Sequence, residues 1–374
     1  MSQANPAWFP NLRHHYRRVC RTTLLLSGML ALATLHGADT QISGLTYRPL
    51  PDIAARYGMK LSWVTPGKTM VAKNDYCTLE LDVNDRSLVL NGQPMALGFP
   101  IVARGDTLYL AKLDFDNNIF PLLSPGEIPG VPGLRRIVLD PGHGGKDTGT
   151  TNDSLKADEK TNTLDVALRL ADLLRKRGYE VALTRTTDVY VELTDRTAIA
   201  NRAKGDLYIS IHFNNAPQKS VTGIETWLLP PAGEPPSNIA KVRDVDKQVL
   251  PGNRYDFWNT IVAFSLERAA TRELDTDDRG LKREHLVVLK GLNMPGVLIE
   301  CGFLSSPSEG AKIISPDYHQ KIAAAIADGI DLYKATLDQL RTNKAPAPTR
   351  AAPPSPPGAA PHRPDDVNEV GSPN

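Results

Sequence analysis

The stretch RIVLDPGHGG at residues 136–145 decides the fold class, because a short apolar strand runs directly into a polar, glycine-rich turn. Two later stretches repeat this pattern, YISIHFN at 208–214 and VLIECG at 297–302. Segments with helical spacing of apolar residues separate and follow these strands, at 163–176, 193–203, 257–273 and 319–332. Strands that alternate with helices predict an α/β fold, in which a mostly parallel sheet carries helices on both faces.

Polar side chains stand where these strands end. In an open α/β sheet, ligands bind in the crevice at the carboxyl ends of the strands, so His143, His212 and Glu300 are expected to lie together. Glu159 is a fourth candidate, because it precedes a helix that starts at the same edge of the sheet. Two imidazoles and one carboxylate are a preferred ligand set for catalytic zinc, with the fourth position open to water. The remaining carboxylate is then available as a general base.

Each of these residues also has an ordinary structural explanation. In the structural explanation, His143 is an exposed residue of a glycine-rich loop. His212 is then a histidine at a strand end whose hydrogen bonds are made within the protein. Glu159 is an acid at the start of a helix, where the helix dipole favours negative charge. Glu300 is the hardest to explain in this way, because a carboxylate after apolar strand residues is costly when it is buried without a partner.

The chain resembles the zinc-dependent N-acetylmuramoyl-L-alanine amidases. The resemblance rests on DPGHGGKDTG (140–149), the stretch from 158 to 188, LTDRTAIAN (193–201), DLYISIHFNNA (206–216) and MPGVLIECGFLSSPSE (294–309). It implies that His143, Glu159 and His212 bind zinc and that Glu300 is the catalytic acid/base. Ser306 departs from the family, in which many members have Asn, but it is not among the implied ligands.

The resemblance also implies a reaction. The enzyme would hydrolyse a linear amide of peptidoglycan, the bond between the lactyl group of N-acetylmuramic acid and L-alanine, in cell-wall remodelling or daughter-cell separation. Some members of the family carry a segment that blocks the zinc until a partner removes it, so whether an activator protein is a further partner is left open. Two alternatives remain at this point: a non-catalytic protein that binds the wall or activates a hydrolase, and a zinc peptidase that cuts within the stem peptide.

The chain divides into five predicted segments. They are a signal peptide at 1–38, a small α+β domain at 44–122, a linker at 123–134, the catalytic domain at 135–340 and a disordered proline-rich tail at 341–374. The small domain resembles the one named after the N-terminus of copper amine oxidases, through PLPDIAARYGM and LVLNGQPMAL, and is expected to be dispensable for chemistry.

The signal peptide is predicted from arginines that precede the apolar run LLLSGMLALATL at 24–35 and from a small residue, Ala38, at the expected cleavage point. An exported protein, periplasmic or secreted, with no transmembrane anchor after cleavage is therefore expected. The formal net charge of +1 argues against a nucleic-acid binder, which would be basic. With 3 cysteines there is no disulfide framework, although a Cys77–Cys301 bridge is left open.

Several residues near the candidate site have two interpretations. Arg196, Asn201 and Arg202 share one helix, where a structural role and substrate contact are both considered. His285 is placed either near the site or on the surface. The polar insertion at 230–255 is interpreted as a loop that lines the substrate or as a segment that blocks the zinc, with Glu234 as the candidate blocking ligand.

Overall fold

A computed structural model describes residues 39–344, and its centre is an 11-stranded sheet with the order β13-β10-β14-β17-β15-β16-β7-β6-β5-β4-β3. A second sheet has the order β1-β2-β9-β8, and β11 and β12 form a two-stranded ribbon. The strands are β1 (Thr40–Ile42), β2 (Leu45–Pro49), β3 (Lys60–Thr65), β4 (Thr69–Lys73), β5 (Thr78–Asp82), β6 (Ser87–Leu90), β7 (Gln93–Ala96), β8 (Val102–Arg104), β9 (Thr107–Ala111), β10 (Arg136–Pro141), β11 (Thr151–Asn152), β12 (Ala157–Asp158), β13 (Glu180–Leu183), β14 (Leu207–Asn214), β15 (Ile224–Leu228), β16 (Asp278–Arg283) and β17 (Gly296–Phe303).

Helices connect and cover these strands. The α-helices are α1 (Leu50–Tyr57), α2 (Lys112–Asp114), α3 (Phe120–Leu123), α4 (Glu159–Lys176), α5 (Leu193–Arg202), α6 (Asp256–Leu274), α7 (Val287–Lys290), α8 (Pro307–Ile313) and α9 (Pro316–Lys344). A π-helix spans Phe115–Ile119, and short 3-10 helices span Pro125–Glu127, Asp244–Lys247 and Pro251–Tyr255.

Four strands of the central sheet are parallel and position the candidate site. The strands β13, β10, β14 and β17 run side by side in the same direction. The interior residues of β10, β14 and β17 are almost fully buried, as in Ile137, Ile209 and Val297, which is typical of parallel strands covered on both faces, whereas the residues of the edge strand β13 are half-buried. The pairing of β14 with β17 sets His212 opposite Glu300, so the carboxyl ends of these two strands lie at one level.

The remaining strands make the sheet mixed, and the prediction of a mostly parallel sheet is not confirmed. β15 is antiparallel to β17, and the strands from β7 to β3 are antiparallel to one another. The connection between β14 and β15, residues 215–223, is shorter than the dozen or more residues that a parallel crossover requires. β15 therefore enters the sheet in the opposite direction.

Helices cover both faces of the parallel strands, as predicted. Successive strand residues point to opposite faces, and in β10 the side chains of Ile137 and Leu139 belong to the core cluster that also contains the buried residues of helices α4, α6 and α9. The intervening Val138 packs on the other face with Ala200 of α5 and Leu289 of α7. The helix that follows β10 starts at Glu159, four residues earlier than its apolar spacing indicated, so Glu159 is its first residue.

The N-terminal region is joined to the rest by strand pairing. β7 lies parallel to β16, with Met95 opposite Leu281, so the sheet continues across the predicted linker at 123–134. That linker is not an extended tether, because Ile128 and Leu134 are buried. The predicted domain boundaries remain predictions, but the hydrogen-bonded sheet does not stop at them.

The insertion at 230–255 packs between the N-terminal region and the strands that follow residue 135. Arg86 donates hydrogen bonds to the carbonyl oxygens of Ile239, at 2.8 Å, and Pro236, at 3.3 Å. Glu234 is 1% exposed, and its Oε1 lies 3.4 Å from Nε of the buried Arg283. Burial raises the pKa of Glu234 to about 7, although the Arg283 charge opposes that rise. Glu234 thus belongs to a buried interface and not to the candidate site, so its interpretation as a blocking ligand is wrong.

Other features of the described residues bear on the remaining predictions. Helix α9 continues to Lys344, past the predicted start of the tail, and residues 345–374 and the signal peptide at 1–38 lie outside the described residues. Cys77 and Cys301 are both free thiols. No helix of residues 39–344 has the length and apolar character needed to cross a bilayer.

The packing of Glu234 against the N-terminal region predicts a large effect of Gly98→Ala. A Cβ at Gly98 would lie 2.3 Å from Cγ of Glu234, which is 1% exposed, whereas a Cβ at Gly133 would meet nothing closer than 3.8 Å. Gly98→Ala should lower the free energy of unfolding by about 1–3 kcal/mol, as overpacking does. Urea denaturation of both variants measures this, and equal midpoints for Gly98→Ala and Gly133→Ala would contradict the described interface.

Candidate metal centre

Three of the predicted site residues converge at the carboxyl edge of the parallel strands. The Oε1 atom of Glu159 lies 3.1 Å from Nε2 of His143 and 2.9 Å from Nδ1 of His212. The two imidazole rings stand nearly perpendicular, with centroids 4.9 Å apart. One ligand atom from each residue lies within 4.8 Å of the others, as the sequence pattern predicted.

Backbone donors hold the Glu159 carboxylate in place. Its Oε1 accepts a hydrogen bond from Phe213 N at 3.0 Å, and its Oε2 accepts one from Thr150 N at 2.8 Å. The residue is 3% exposed. Burial raises the pKa of Glu159, but hydrogen bonds from His143 and His212 outweigh it and hold the pKa below its usual range. The site therefore keeps this carboxylate ionised, which is the form that binds a cation.

The spacing of these groups fits a small divalent cation. Ligands at 2.0–2.2 Å from a tetrahedral zinc ion stand about 3.3–3.6 Å from one another. The nitrogen-to-oxygen separations of 3.1 and 2.9 Å are close to that value, so small rotations of the rings would admit an ion. Two neutral imidazoles and a carboxylate also match the ligand types that zinc prefers. The residues thus form a candidate metal site.

A carboxylate behind the first histidine fixes its ring. Nδ1 of His143 lies 2.8 Å from Oδ2 of Asp147, so this carboxylate orients the ring with Nε2 towards the site. His143 has a φ of 59°, which is unusual for a residue with a side chain. Arg196 holds this conformation, because its Nη2 donates a hydrogen bond to the His143 carbonyl oxygen at 2.7 Å.

Arg196 belongs to a buried network below the histidine. Its Nη1 donates to Oδ1 of Asp140 at 2.8 Å, and Asp140 also accepts hydrogen bonds from the hydroxyl groups of Thr184, Tyr208 and Ser210. Burial raises the pKa of Asp140, but the Arg196 charge and these three donors outweigh it and lower the pKa. Arg196 therefore has a structural role, one of the two interpretations that its sequence position allowed.

A second buried arginine supports the same loop. Arg185 donates from Nε to Pro141 O at 3.0 Å and from Nη2 to Gly142 O at 2.8 Å. Arg196 contributes another hydrogen bond to Pro141 O, at 2.9 Å. The carbonyl groups of residues 141–143 are thus all held by guanidinium donors, which fixes the backbone that carries His143.

Two glycines are required by the closeness of the ligands. A Cβ at Gly142 would lie 2.3 Å from Cε1 of His212. Gly149 has a φ of 64°, and a Cβ there would lie 2.6 Å from both Oε2 of Glu159 and Cδ2 of His143. A side chain at either position would push the three ligand residues apart.

Glu300 lies next to this group on β17. It is the register partner of His212 on one side and of Glu225 on the other, so the three side chains share one face of the sheet. Oε2 of Glu300 is buried and has no hydrogen-bond partner within the described residues. Burial and the charges of Glu159 and Glu225 raise the pKa of Glu300 well above its usual range. A buried carboxyl oxygen without a partner is what a group that awaits substrate or water would show.

The structure separates the other candidates from the site. Nε2 of His285 lies 2.8 Å from Asp246 in the insertion, at the end of β16 away from Glu300. Asn201 donates to Gly291 O at 2.8 Å, and Arg202 is exposed. Neither Asn201 nor Arg202 forms a hydrogen bond or ion pair with the three candidate ligands.

Asp147, Arg185 and Glu225 are site residues that the sequence analysis did not single out. The signal for Asp147 is its position four residues after His143 within the same glycine-rich turn. The signal for Glu225 is an acid inside the apolar strand IETWL, at residues 224–228. Arg185 follows a strand and has no distinctive neighbour, so its role became visible only through its contacts.

Comparison with known proteins identifies the families that the chain resembles. A family model described as N-acetylmuramoyl-L-alanine amidase matches residues 137–332, and one described as copper amine oxidase N-terminal domain matches residues 36–115. The germination-specific N-acetylmuramoyl-L-alanine amidase of Bacillus subtilis (strain 168) is 32% identical over 252 residues, which are 63% of this chain and 92% of that protein.

Solved structures give similar matches. An N-acetylmuramoyl-L-alanine amidase from Clostridium difficile 630 is 33% identical, with 54% of this chain and 97% of that chain covered and a TM-score of 0.45. The CwlD amidase from Clostridioides difficile, solved in complex with the GerS lipoprotein, is 29% identical, with coverage of 54% and 99% and a TM-score of 0.45.

The buried pair of Arg196 and Asp140 predicts a strong effect on stability. Their side chains are 2% and 0% exposed, so Arg196→Met would leave a buried carboxylate without its counter-charge. The free energy of unfolding at pH 7 should fall by about 3–5 kcal/mol. Arg202→Met on the exposed side of the same helix is the matched control and should change it little. Urea denaturation measures both, and equal stabilities would refute the structural role given to Arg196.

Proposed function

The chain belongs to the N-acetylmuramoyl-L-alanine amidase family, and from this premise we propose that it hydrolyses the amide between the lactyl group of N-acetylmuramic acid and L-alanine in peptidoglycan. The observation that carries the proposal is the convergence of His143, Glu159 and His212 beside Glu300, a half-buried glutamate whose Oε2 is buried without a partner in the described residues. An intact ligand set next to an unpartnered carboxyl group favours an enzyme over a protein that only binds the wall.

We assign the metal ligands to His143, Glu159 and His212. When zinc is bound, it supplies a Lewis acid that polarises a carbonyl group and makes water more acidic at neutral pH. The chain's own contribution is to keep Glu159 ionised and to hold the His143 ring with Nε2 towards the site, through Asp147. The arginine-bound loop below them keeps this arrangement rigid before substrate arrives.

Glu300 is the proposed acid/base. It accepts a proton from the attacking water as the new carbon–oxygen bond forms at the scissile carbonyl. It then donates that proton to the amide nitrogen as the carbon–nitrogen bond breaks, so the products are a muramoyl carboxylic acid, which releases its own proton to solvent, and a free amine on L-alanine. The environment that raises the pKa of Glu300 makes its carboxylate a stronger base and therefore favours the first step, in which it accepts the water's proton.

The cellular setting is also a proposal. The segment at 1–38 is interpreted as an export signal, which would deliver the enzyme to the periplasm or outside the cell, where peptidoglycan lies. Wall remodelling or daughter-cell separation are the processes that such an amidase serves. An activator protein remains a proposed partner.

The products separate this function from the peptidase alternative. Digested peptidoglycan analysed by mass spectrometry should yield glycan strands without peptides and free stem peptides that begin with L-alanine. Shortened peptides that remain attached to the glycan would instead identify a zinc peptidase.

The roles of the two glutamates predict opposite responses to the same substitution. Glu300→Gln should keep zinc content near that of the wild type and lower the amidase rate by about 10²–10⁴-fold, because glutamine cannot accept the proton. Glu159→Gln should lower metal affinity directly, because a neutral amide is a poorer ligand. Glu80→Gln on an exposed strand position is the control and should change neither quantity.

Zinc stoichiometry and rate are measured on the same purified samples. The assignment is reversed if Glu300→Gln loses zinc while Glu159→Gln keeps it. Absence of any transition metal from the wild-type protein after gentle purification would remove the proposed chemistry altogether.

A further inference from the structure

A second charged group lies on the same face of the sheet as Glu300, on the side away from His212. Glu225 of β15 is the register partner of Glu300 and is 2% exposed. Its Oε2 accepts hydrogen bonds from Nε of Arg279, at 3.0 Å, and from Nζ of Lys282. Its Oε1 accepts hydrogen bonds from Asn214, at 2.5 Å, and from Trp227 Nε1, at 3.1 Å. One buried carboxylate thus anchors two cations beside the candidate catalytic residue.

These cations have more hydrogen-bonding capacity than Glu225 uses. Arg279 is bound through Nε alone, and neither of its Nη atoms donates a hydrogen bond within the described residues. Its guanidinium lies over the Phe303 ring, with Cζ 5.1 Å from the centroid, so the ring limits where the group can move. The side chains of Arg279 and Lys282 are 35% and 23% exposed. A guanidinium whose Nη atoms are free is a common partner of a carboxylate, which it can bind with two hydrogen bonds.

Neighbouring acids do not bind the Nη atoms of Arg279. Oδ2 of Asp277 accepts a hydrogen bond from Thr222 at 2.7 Å, and Oδ1 of Asp278 accepts one from Gly280 N at 2.9 Å. Arg279 and Lys282 carry two positive charges, and Glu225 supplies one negative charge to bind them. One positive charge is therefore left over, on the same face of the sheet as Glu300.

The distance suits a group on the substrate's peptide. Two steps between neighbouring strands, from β17 to β15 and from β15 to β16, amount to about 10 Å. Two residues of extended peptide span about 7 Å. The side chain of Arg279 reaches from β16 towards the substrate and covers the rest of the distance, so its guanidinium can meet a carboxylate on the second residue after the scissile amide. In peptidoglycan that second residue is a γ-linked glutamate with an α-carboxyl group.

We propose that Arg279, anchored by Glu225 and assisted by Lys282, binds the free α-carboxylate of the second residue of the stem peptide on the leaving-group side of the scissile bond. This subsite rests on the proposed amidase function. It makes the enzyme selective for stem peptides whose second residue is a free acid over those in which it is an amide.

The test compares two N-acetylmuramoyl tripeptides that differ only in that group, a carboxylate in one and a carboxamide in the other. The full chain should show a kcat/KM for the acid about 10- to 100-fold above that for the amide, because the lost interaction is a hydrogen bond between charged groups. The difference should lie mainly in KM, since the contact is remote from the reacting bond.

Variants assign the preference to a residue. Arg279→Gln should bring the ratio of the two kcat/KM values close to one, and Lys282→Met should reduce it in part. Arg272→Gln, at an exposed arginine that is also paired with an acid, should leave the ratio unchanged. The Lys282→Met result and the wild-type ratio decide the matter if Arg279→Gln does not fold.

Each contrary result has a distinct meaning. Equal rates of the wild type on both substrates would show that Arg279 and Lys282 only neutralise Glu225 and Glu300, and would overturn the subsite while the amidase function stands. A ratio that survives in Arg279→Gln would overturn it as well. If neither substrate is cut, the proposed amidase function fails and the subsite fails with it.

Discussion

The buried carboxylate of Asp140 is the constraint on which the rest of the site depends. It stands at the end of β10 and accepts hydrogen bonds from Tyr208 and Ser210 of β14, from Thr184 after β13 and from Arg196 of α5. Three adjacent parallel strands and one helix thus meet at a single charged group. Arg196 compensates this charge and also donates a hydrogen bond to the carbonyl oxygen of His143. The position of His143 therefore depends on a buried ion pair of the core.

Much of this arrangement could be predicted from the sequence, because it follows from where strands end. His143, His212 and Glu300 each follow a run of buried apolar residues, and parallel strands bring their carboxyl ends to one edge. The position of Glu159 was predictable for a related reason, since a helix that returns from β10 must start at that edge. The positions at which the strands end therefore predict most of the residues of the candidate metal centre.

The sequence was less informative where a contact depends on distant pairing. β15 runs antiparallel to β17, which sets Glu225 opposite Glu300. The sequence shows that the connection before β15 is short, but it does not show which strand β15 pairs with. The pairing of β7 with β16 has no local signal at all, and for that reason the N-terminal region was expected to be a separate domain. The arginine donors to the loop at 141–143 were likewise invisible, because their acceptors are backbone carbonyl groups that any sequence supplies.

The seam between β7 and β16 has a consequence for the order of folding. Met95 is synthesised long before its partner Leu281. During most of synthesis, the side of β7 that later pairs with β16 therefore has no partner strand. Pro94 lies on this strand and lacks the amide hydrogen that a neighbouring strand would need, which limits unwanted pairing at the edge. Closing a loop of this length is slow, so the two halves should dock late, after each has formed its own strands.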